Sequence, residues 1–152
     1  MSQRGKQSLK HLFLLFLFGL CIFQTADAGW RKSSGGRAEL RLISALQSIG
    51  EQTQIVQLGL EFKLQQNWHI YWKNPGEVGY PPRLSWTLDP YWKASPLSFP
   101  IPSKLIDKSG IQSFGYQDRV LFPITLVKSA GPTTPIKGRV RVEYLICEVQ
   151  CV

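Results

Sequence analysis

The stretch Val56-Gln-Leu-Gly-Leu-Glu-Phe-Lys-Leu64 carries the pattern that decides the fold class. Apolar residues occupy every second position, which is the period of a strand with one buried face. Other segments repeat this period, namely 38–46, 68–72, 83–88, 120–127 and 139–146. Ten prolines and thirteen glycines punctuate the chain, and no stretch has a helical stripe of useful length. The sequence therefore predicts an all-β sandwich, with a turn at 73–76.

The aromatic residues and one histidine follow the same strand pattern. A carbohydrate platform is conceivable, but alternation favours packing for at least two of the four tryptophans concerned, Trp68, Trp72, Trp86 and Trp92. By parity, His69 points away from Trp68 and Ile70, which predicts a solvated position on the strand face. With two cysteines it would supply three metal ligands, one short of a closed zinc site.

Cys147 and Cys151 are the only cysteines after residue 28. On a straight strand, residues four apart are separated by about 13 Å, whereas a disulfide needs Cα atoms about 4.4–6.8 Å apart. The residues between them, 148–150, are therefore predicted to form a three-residue hairpin loop that lets the cysteines face each other. A single helical turn is the alternative, and the β-branched residues upstream favour the hairpin.

Three roles are open for this pair. As a structural bridge, a loop of five residues would remove only about 2 kcal/mol of unfolded-state freedom, and a chain of this size buries an adequate core without staples. Short or exposed bridges are the labile ones, which favours a redox-active pair. Metal binding is the third reading, with Cys147 and Cys151 as two thiolate ligands for copper(I).

Residues 1–28 have the composition of a secretory signal peptide. Basic residues precede the apolar run 12–23, and Ala26-Asp-Ala28 supplies small residues before a cleavage site. The run of twelve is shorter than the roughly 20 residues of a membrane span, so we expect an exported chain with no span in this fragment. Export favours an oxidising compartment, which in a bacterium is the periplasm.

The predicted mature part divides into a polar lead-in and one domain. Residues 29–37 are rich in Gly, Ser and basic residues and predict a flexible segment, and 38–152 predict the domain. From residue 29 on, 15 basic and 9 acidic residues are scattered along the sequence. This balance favours solubility and steering of an acidic partner over a nucleic-acid patch. A Ser/His/Asp hydrolase is unsupported, since no GxSxG motif occurs, and no cofactor is predicted.

Several motifs together resemble one known family. They are Trp68-His-Ile-Tyr-Trp72, Asn74-Pro-Gly76, Gly79-Tyr-Pro-Pro-Arg-Leu-Ser-Trp86, Ser113-Phe-Gly-Tyr116, Leu121-Phe-Pro123 and Tyr144-Leu-Ile-Cys-Glu-Val-Gln-Cys151. This combination resembles the periplasmic N-terminal domain of DsbD-type thiol:disulfide interchange proteins, in the branch that contains the ScsB copper-tolerance proteins. The resemblance runs from about residue 38 to the end.

The resemblance implies an immunoglobulin-like sandwich that forms part of a protein-disulfide reductase. A thioredoxin-like periplasmic domain, fed by a membrane electron donor, would reduce this domain, which would then reduce periplasmic client proteins. By position, Cys147 and Cys151 match the redox pair. Phe114 resembles an aromatic residue that shields the pair, and Tyr71 matches an aromatic residue near the same site.

Two departures from the family pattern affect these expectations. Three residues separate the cysteines, as in the ScsB-like branch, whereas the best-known DsbD proteins have a longer spacer. Family members continue through a final strand and a membrane region, so the sequence predicts a sandwich that lacks its last strand or strands. Besides the electron relay, two functions remain: a non-catalytic binding module with a structural disulfide, and a copper(I)-binding tolerance protein.

Overall fold

A computed structural model describes residues 29–33, 35–46, 50, 52–129, 131 and 136–152, and the predicted signal peptide lies outside these residues. The described residues form eleven strands and no helix. The strands are β1 (Arg31–Lys32), β2 (Ala38–Ser44), β3 (Ile55–Leu64), β4 (His69–Gly76), β5 (Arg83–Leu88), β6 (Trp92–Ala94), β7 (Ser103–Ile106), β8 (Gln112–Gln117), β9 (Arg119–Lys128), β10 (Gly138–Glu143) and β11 (Ile146–Cys147).

The strands form three antiparallel sheets. The largest has the order β1-β2-β3-β9-β6, the second has the order β11-β4-β8-β7, and β10 pairs with β5 alone. The alternating stretch that opens the sequence is β3, which lies in the middle of the five-stranded sheet between β2 and β9. The all-β, immunoglobulin-like sandwich predicted from the sequence is therefore confirmed.

The core lies between the two larger sheets. Phe122 of β9 is fully buried, and its ring makes edge-on contacts with Phe62 of β3 at 5.9 Å and with Tyr116 of β8 at 5.3 Å between centroids. Ile70 of β4 and Ile146 of β11 belong to the same buried cluster. Edge-on aromatic pairs add to the free energy gained by burial. The inner face of the β11-β4-β8-β7 sheet is thus fixed, which leaves its outer face for the cysteine pair.

The sandwich also uses the predicted packing of the tryptophans. Trp68 and Trp92 are buried in the core, and Trp72 and Trp86 are partly buried against it.

The turn predicted at 73–76 is not found, because β4 continues to Gly76 with a shift of register between Tyr71 and Gly76. A proline at position 75 has no N–H for a regular ladder, and such a residue is accommodated at an irregular point of a strand.

The chain changes sheets near its described end. The stretch 139–146 reads as one strand in the sequence, but it divides into β10, which pairs with β5, and β11, which pairs with β4. Tyr144 lies at the change, and its ring packs against Phe62 at 5.0 Å. The aromatic contact anchors the crossing in the core, so β11 is delivered to the edge of the sheet that carries β4.

The segment 29–37 contains more structure than its composition predicts. β1 pairs with β2, with Arg31 opposite Leu40. Trp30 lies under the guanidinium group of Arg41, 4.5 Å from the ring centroid. A cation over an aromatic ring is attracted to its face. This contact explains why a segment rich in glycine and basic residues still adds a short strand.

Candidate functional site

The cysteine pair lies at the end of a tight hairpin. Cys147 ends β11, and its Cα atom is 4.1 Å from that of Cys151, with a disulfide between the two sulfurs. Next to them, Ile146 and Val152 exchange two backbone hydrogen bonds of 3.1 and 2.9 Å. The residues between the cysteines form the loop, so the hairpin predicted from their spacing is the arrangement found.

The two sulfur-bearing residues differ in exposure. Cys147 is 3% exposed, whereas Cys151 belongs to the exposed residues. The tip of the loop is open as well, since Val149 is 83% exposed. A thiolate from another protein must approach a sulfur along the axis of the disulfide bond. Cys151 is therefore the accessible residue of the pair, and Cys147 is the buried one.

Tyr71 contacts the buried sulfur directly. Its hydroxyl group donates a hydrogen bond to Sγ of Cys147 over 3.1 Å, and its side chain is fully buried. Burial raises the pKa of Tyr71, and the negative charge of Asp107 raises it further. The phenol therefore keeps its proton at neutral pH and remains a donor. A donor aimed at a sulfur stabilises the thiolate more than the neutral thiol or the disulfide.

One glycine makes room for the Tyr71 ring, and a second makes room for the backbone beside it. Gly79 has φ +91°, and a Cβ atom there would overlap the Tyr71 ring. Gly115 is the Cα partner of Tyr71 in β8, and a Cβ atom there would overlap the backbone carbonyl of Ile70. Glycine allows both the unusual backbone angle and the close approach. Gly79 thus lets the Tyr71 ring lie against the backbone at position 79, and Gly115 lets β8 approach β4 closely.

His69 lies on the same outer face of the sheet. It is the Cα partner of Cys147 across the β4–β11 pair, and its ring packs edge-on against Tyr71 at 5.0 Å. The side chain is partly buried, and this desolvation lowers the pKa of His69. The parity predicted from the sequence is correct, but the position is not simply solvated. His69 lies next to Cys147 and Tyr71, so it belongs to the immediate surroundings of the disulfide.

The loop between β7 and β8 closes around Asp107. Oδ1 of Asp107 accepts hydrogen bonds from the backbone N–H groups of Ser109 and Ile111, at 2.8 and 3.0 Å, and from the Ser109 hydroxyl at 2.6 Å. These bonds, with that of the Ser109 hydroxyl first, lower the pKa of Asp107. The carboxylate is thus ionised at neutral pH, and its negative charge acts on Tyr71.

The part of the chain that the structure describes contains no group of three or more His, Cys, Asp or Glu residues arranged to hold a metal ion. A copper(I) ion needs only two thiolates, so the copper hypothesis depends on the reduced pair alone. Among the described residues, no helix has the length and apolar character needed to cross a bilayer.

Comparison with known proteins agrees with this geometry. The model of the N-terminal domain of the thiol:disulfide interchange protein DsbD matches residues 42–152. The chain belongs to this family. Among solved structures, the N-terminal periplasmic domain of ScsB from Proteus mirabilis matches with a TM-score of 0.62 and 27% sequence identity, over 82% of this chain. The match spans 47% of that chain. No sequence match to a curated protein reaches significance.

The family resemblance assigns Phe114 to a shield over the sulfurs of this DsbD-type domain, and the described contacts of its ring are with Trp72. Phe114 pairs with Lys104 of β7, and its ring faces Trp72 with 6.4 Å between centroids. Gly115, and not Phe114, is opposite Tyr71. Because neighbouring residues of a strand point to opposite faces, Phe114 lies on the side of Tyr116. Its shielding role stays a prediction, tested in the Discussion.

Three residues that lie beside the cysteine pair of this DsbD-type domain were assigned no role there from the sequence: His69, Gly79 and Asp107. His69 could have been found by combining two observations, namely its parity with Tyr71 and the pairing of its strand with the cysteine hairpin. The second observation needs the sheet order, which one sequence does not give. Gly79 stood in a quoted motif without a role, and its closeness to Tyr71 depends on tertiary packing.

Proposed function

We propose that this domain relays reducing equivalents through Cys147 and Cys151, from a reduced thioredoxin-like domain or another membrane-fed donor to disulfides of periplasmic client proteins. The observation that carries the proposal is the asymmetry of the pair. One sulfur is exposed, and the other is buried under the hydroxyl group of Tyr71. Family membership and the likeness to a periplasmic ScsB domain support the compartment and the class of partner.

The difference in exposure between the two cysteines sets the order of steps by which the donor reduces this domain. A donor thiolate attacks Sγ of Cys151, the bond between the two cysteines breaks, and Cys147 leaves as a thiolate. The Tyr71 hydroxyl, 3.1 Å away, stabilises that thiolate. Exchange is faster when the leaving thiol has a low pKa. The second thiolate of the donor then attacks the donor sulfur of the mixed disulfide, which releases Cys151 and leaves the domain with two thiols.

In the reduction of a client, Cys151 is again the reacting sulfur, but now it is the attacking thiolate. The Cys151 thiolate attacks a client disulfide, one client sulfur leaves, and a mixed disulfide forms. Cys147 then attacks Sγ of Cys151, which restores the internal disulfide and releases the second client thiolate. Two electrons pass from the cysteine pair to the client. No metal or cofactor takes part in this scheme.

The location of the disulfide argues against a purely structural role. Cys147 and Tyr71 are buried, but neither belongs to the main core cluster between the sheets. The bridge joins residues separated by four positions in sequence. Such a short loop constrains the unfolded chain by only about 2 kcal/mol. The bridge thus adds little to a fold that its aromatic core already holds.

The surface beside the hairpin favours an acidic partner. A groove of about 880 Å³ reaches from Ile146 and Val152 along β10. Its walls include Lys32 and Arg83, and also Arg141, which pairs with Glu143, so the groove keeps a net positive charge. Positive charge around a groove raises the rate at which an acidic protein arrives. We expect the donor, the client or both to present acidic residues around their reactive cysteines.

The deciding experiment mixes the oxidised protein with an equimolar amount of reduced thioredoxin, quenches with acid, alkylates free thiols and measures mass. The relay predicts that two alkylated cysteines appear within minutes. Persistence of the joined pair would contradict the relay and favour the binding module.

Copper(I) added to the reduced protein tests the copper-binding function. That function predicts that metal is retained through gel filtration and is lost in Cys147→Ser.

Trapping variants then test the assigned order of the sulfurs. The partner is a thioredoxin whose second cysteine is replaced by serine and whose first cysteine carries a thionitrobenzoate leaving group. In Cys147→Ser the exposed Cys151 displaces thionitrobenzoate, and neither protein has a thiol left to resolve the product, so a mixed disulfide should accumulate. In Cys151→Ser the remaining thiol is buried, and much less adduct is expected. Equal trapping by both variants would contradict the order, and no trapping by either would contradict the exchange.

A further inference from the structure

The outer face of the β11-β4-β8-β7 sheet brings one histidine next to the reactive pair. His69 is directly opposite Cys147 in the antiparallel register of β4 and β11. Directly opposite residues have Cβ atoms about 4.5–5.5 Å apart and point to the same face. The ring of His69 also packs edge-on against Tyr71, whose hydroxyl group donates to Sγ of Cys147. His69, Tyr71 and Cys147 therefore form one contiguous cluster.

We propose that His69 is a positioning residue for the exchange: its imidazolium form stabilises the Cys147 thiolate, and its ring holds Tyr71 against the sulfur. This inference rests on the proposed relay and names the group that regulates it. It predicts that the release and the attack of Cys147 are coupled to gain and loss of a proton at His69.

Among the groups around the imidazole, His69 itself is the one suited to stabilise the Cys147 thiolate. β8 presents the uncharged Gln117 as the Cα partner of His69. On β4, Lys73 directs its Nζ atom to the Trp72 ring, at 5.2 Å. β11 ends in Cys147 itself, followed by the exposed Glu148. Asp107 acts on the Tyr71 side of the cluster. His69 is thus the side chain opposite Cys147 that can gain a positive charge near neutral pH.

The proton balance follows the two steps of the relay. When the donor thiolate attacks Cys151, the electron pair of the broken bond goes to Sγ of Cys147, and a proton taken up from solvent at His69 balances the new negative charge. When Cys147 later attacks the mixed disulfide with a client, the electron pair forms the new bond, the negative charge disappears, and His69 returns its proton to solvent. The client thiolate takes up a proton in turn.

Charge coupling fixes the direction of the expected changes. In the oxidised protein, burial alone acts on His69 and lowers its pKa below the usual 6.5. In the reduced protein, a thiolate opposite the ring favours the imidazolium ion, so the pKa of His69 rises and that of Cys147 falls. The two groups titrate as a pair, and an opposite charge at this distance shifts a pKa by about one unit or more.

The first test is an NMR titration of the unmutated full chain, oxidised and then reduced with a phosphine. The chain has two histidines, and the signal of His69 is assigned by comparison with His11→Gln. The proposal predicts that reduction adds a second inflection to the His69 titration, at the pH where the opposite Cys147 thiol ionises, because each group responds to the charge of the other. A His69 titration that is identical in the oxidised and the reduced protein would overturn it. Since no residue of the cluster is altered, a folding defect cannot imitate either outcome.

The second test measures the rate of Cys147 alkylation against pH in a Cys151→Ser background. His69→Gln removes the charge, and Lys73→Gln removes a cation from the same strand as a control. If His69 lowers the thiol pKa by one unit, the parent holds about ten times more thiolate at pH 6 than His69→Gln. A thiolate of lower pKa is about threefold less nucleophilic, so the net alkylation rate of the parent is about threefold higher. The Lys73→Gln profile should follow the parent. Identical profiles for parent and His69→Gln would overturn the proposal.

The outcomes separate this inference from the relay on which it rests. If reduced thioredoxin opens the disulfide but the His69 titration is the same before and after reduction, the relay stands and the role of His69 is wrong. If the second inflection appears but thioredoxin never opens the disulfide, the coupling is real and the relay is wrong. His69→Phe, which keeps an aromatic ring against Tyr71, should retain the Tyr71 contact and still lose the pH dependence.

Discussion

The hydroxyl group of Tyr71 donates a hydrogen bond to Sγ of Cys147 across 3.1 Å, from a strand 76 residues earlier in the sequence. This contact joins the β4 strand to the cysteine hairpin on the outer face of the sheet. It gives the two sulfurs different environments, since Cys151 has an exposed position. The difference between the sulfurs is what a directed exchange requires.

Tyr71→Phe should slow the reduction of the disulfide by thioredoxin about fivefold. The substitution keeps the ring and removes one hydrogen bond, which is worth about 1 kcal/mol. The rate is measured by quenching and mass analysis under conditions where the attack is rate-limiting. Tyr116→Phe is the matched control, because its hydroxyl donates to the carbonyl of Pro100 at 2.7 Å on the core side. Equal slowing in both variants would contradict the role of Tyr71.

Gly79→Ala should lower both stability and exchange, because a Cβ atom at this position overlaps the Tyr71 ring. Gly110→Ala is the control, since its φ of +88° is close to the +91° of Gly79 and its Cβ would meet open space. Both variants carry a backbone cost of about 1–2 kcal/mol. Urea unfolding should show a larger loss for Gly79→Ala, and only that variant should exchange more slowly. An equal loss of stability in Gly79→Ala and Gly110→Ala would show that the Tyr71 ring moves aside for the added methyl group.

Phe114→Ala distinguishes a shield from a packing residue. A ring over the sulfurs predicts faster labelling of the reduced pair by a small thiol reagent. Packing against Trp72 predicts a loss of about 1–3 kcal/mol in unfolding free energy with unchanged labelling of folded molecules. From the ring contact with Trp72 we expect the second result. Faster labelling at conditions where the variant is fully folded would restore the shielding role that the family resemblance implies.

Glu61 should make the fold sensitive to acid. Its buried carboxylate bridges Arg119 and Arg41, and these bonds, with that of Arg119 first, lower the pKa of Glu61 below 4.5. A lowered pKa in the folded state contributes stability that is present above pH 4.5 and is lost as the pH falls through the folded pKa. Urea unfolding at several pH values measures this contribution.

Glu61→Gln should therefore be less stable than the parent at pH 7, and the two should converge as the pH falls from 4.5 through the lowered pKa of Glu61. Glu143→Gln is the control, because Glu143 pairs with Arg141 at 3.1 Å on the surface, where both side chains are more than half exposed. Exposed pairs are worth about 0–1 kcal/mol. A constant difference between Glu61→Gln and the parent at all pH values would contradict the assignment.

The sequence predicts the fold class and the hairpin because both depend on local periodicity. The alternation of β3 indicates one buried face, and the spacing of Cys147 and Cys151 restricts the chain between them to a tight turn. β6, β7 and β8 were not predicted. They are short, and β8 buries neighbouring residues at Gly115 and Tyr116 instead of alternating. Their pairing partners, not their own patterns, make them strands.

The site was harder to predict than the fold because it is assembled across strands. Tyr71 came from the resemblance, and its contact with the sulfur needs β11 to leave β10 and pair with β4 at the edge of another sheet. The stretch 139–146 carries no local signal for that change. The same change brings His69 opposite Cys147, which strand parity alone could not indicate.

The exposure of Cys151 constrains how donor and client share this domain. In the proposed relay, Cys147 is buried and Cys151 is exposed, so donor and client would engage the same residue on one side of the hairpin. The two partners would then exclude each other, and the input and output of electrons would alternate. Steady-state turnover should then follow a ping-pong rate law, with each partner acting as a competitive inhibitor of the other at high concentration.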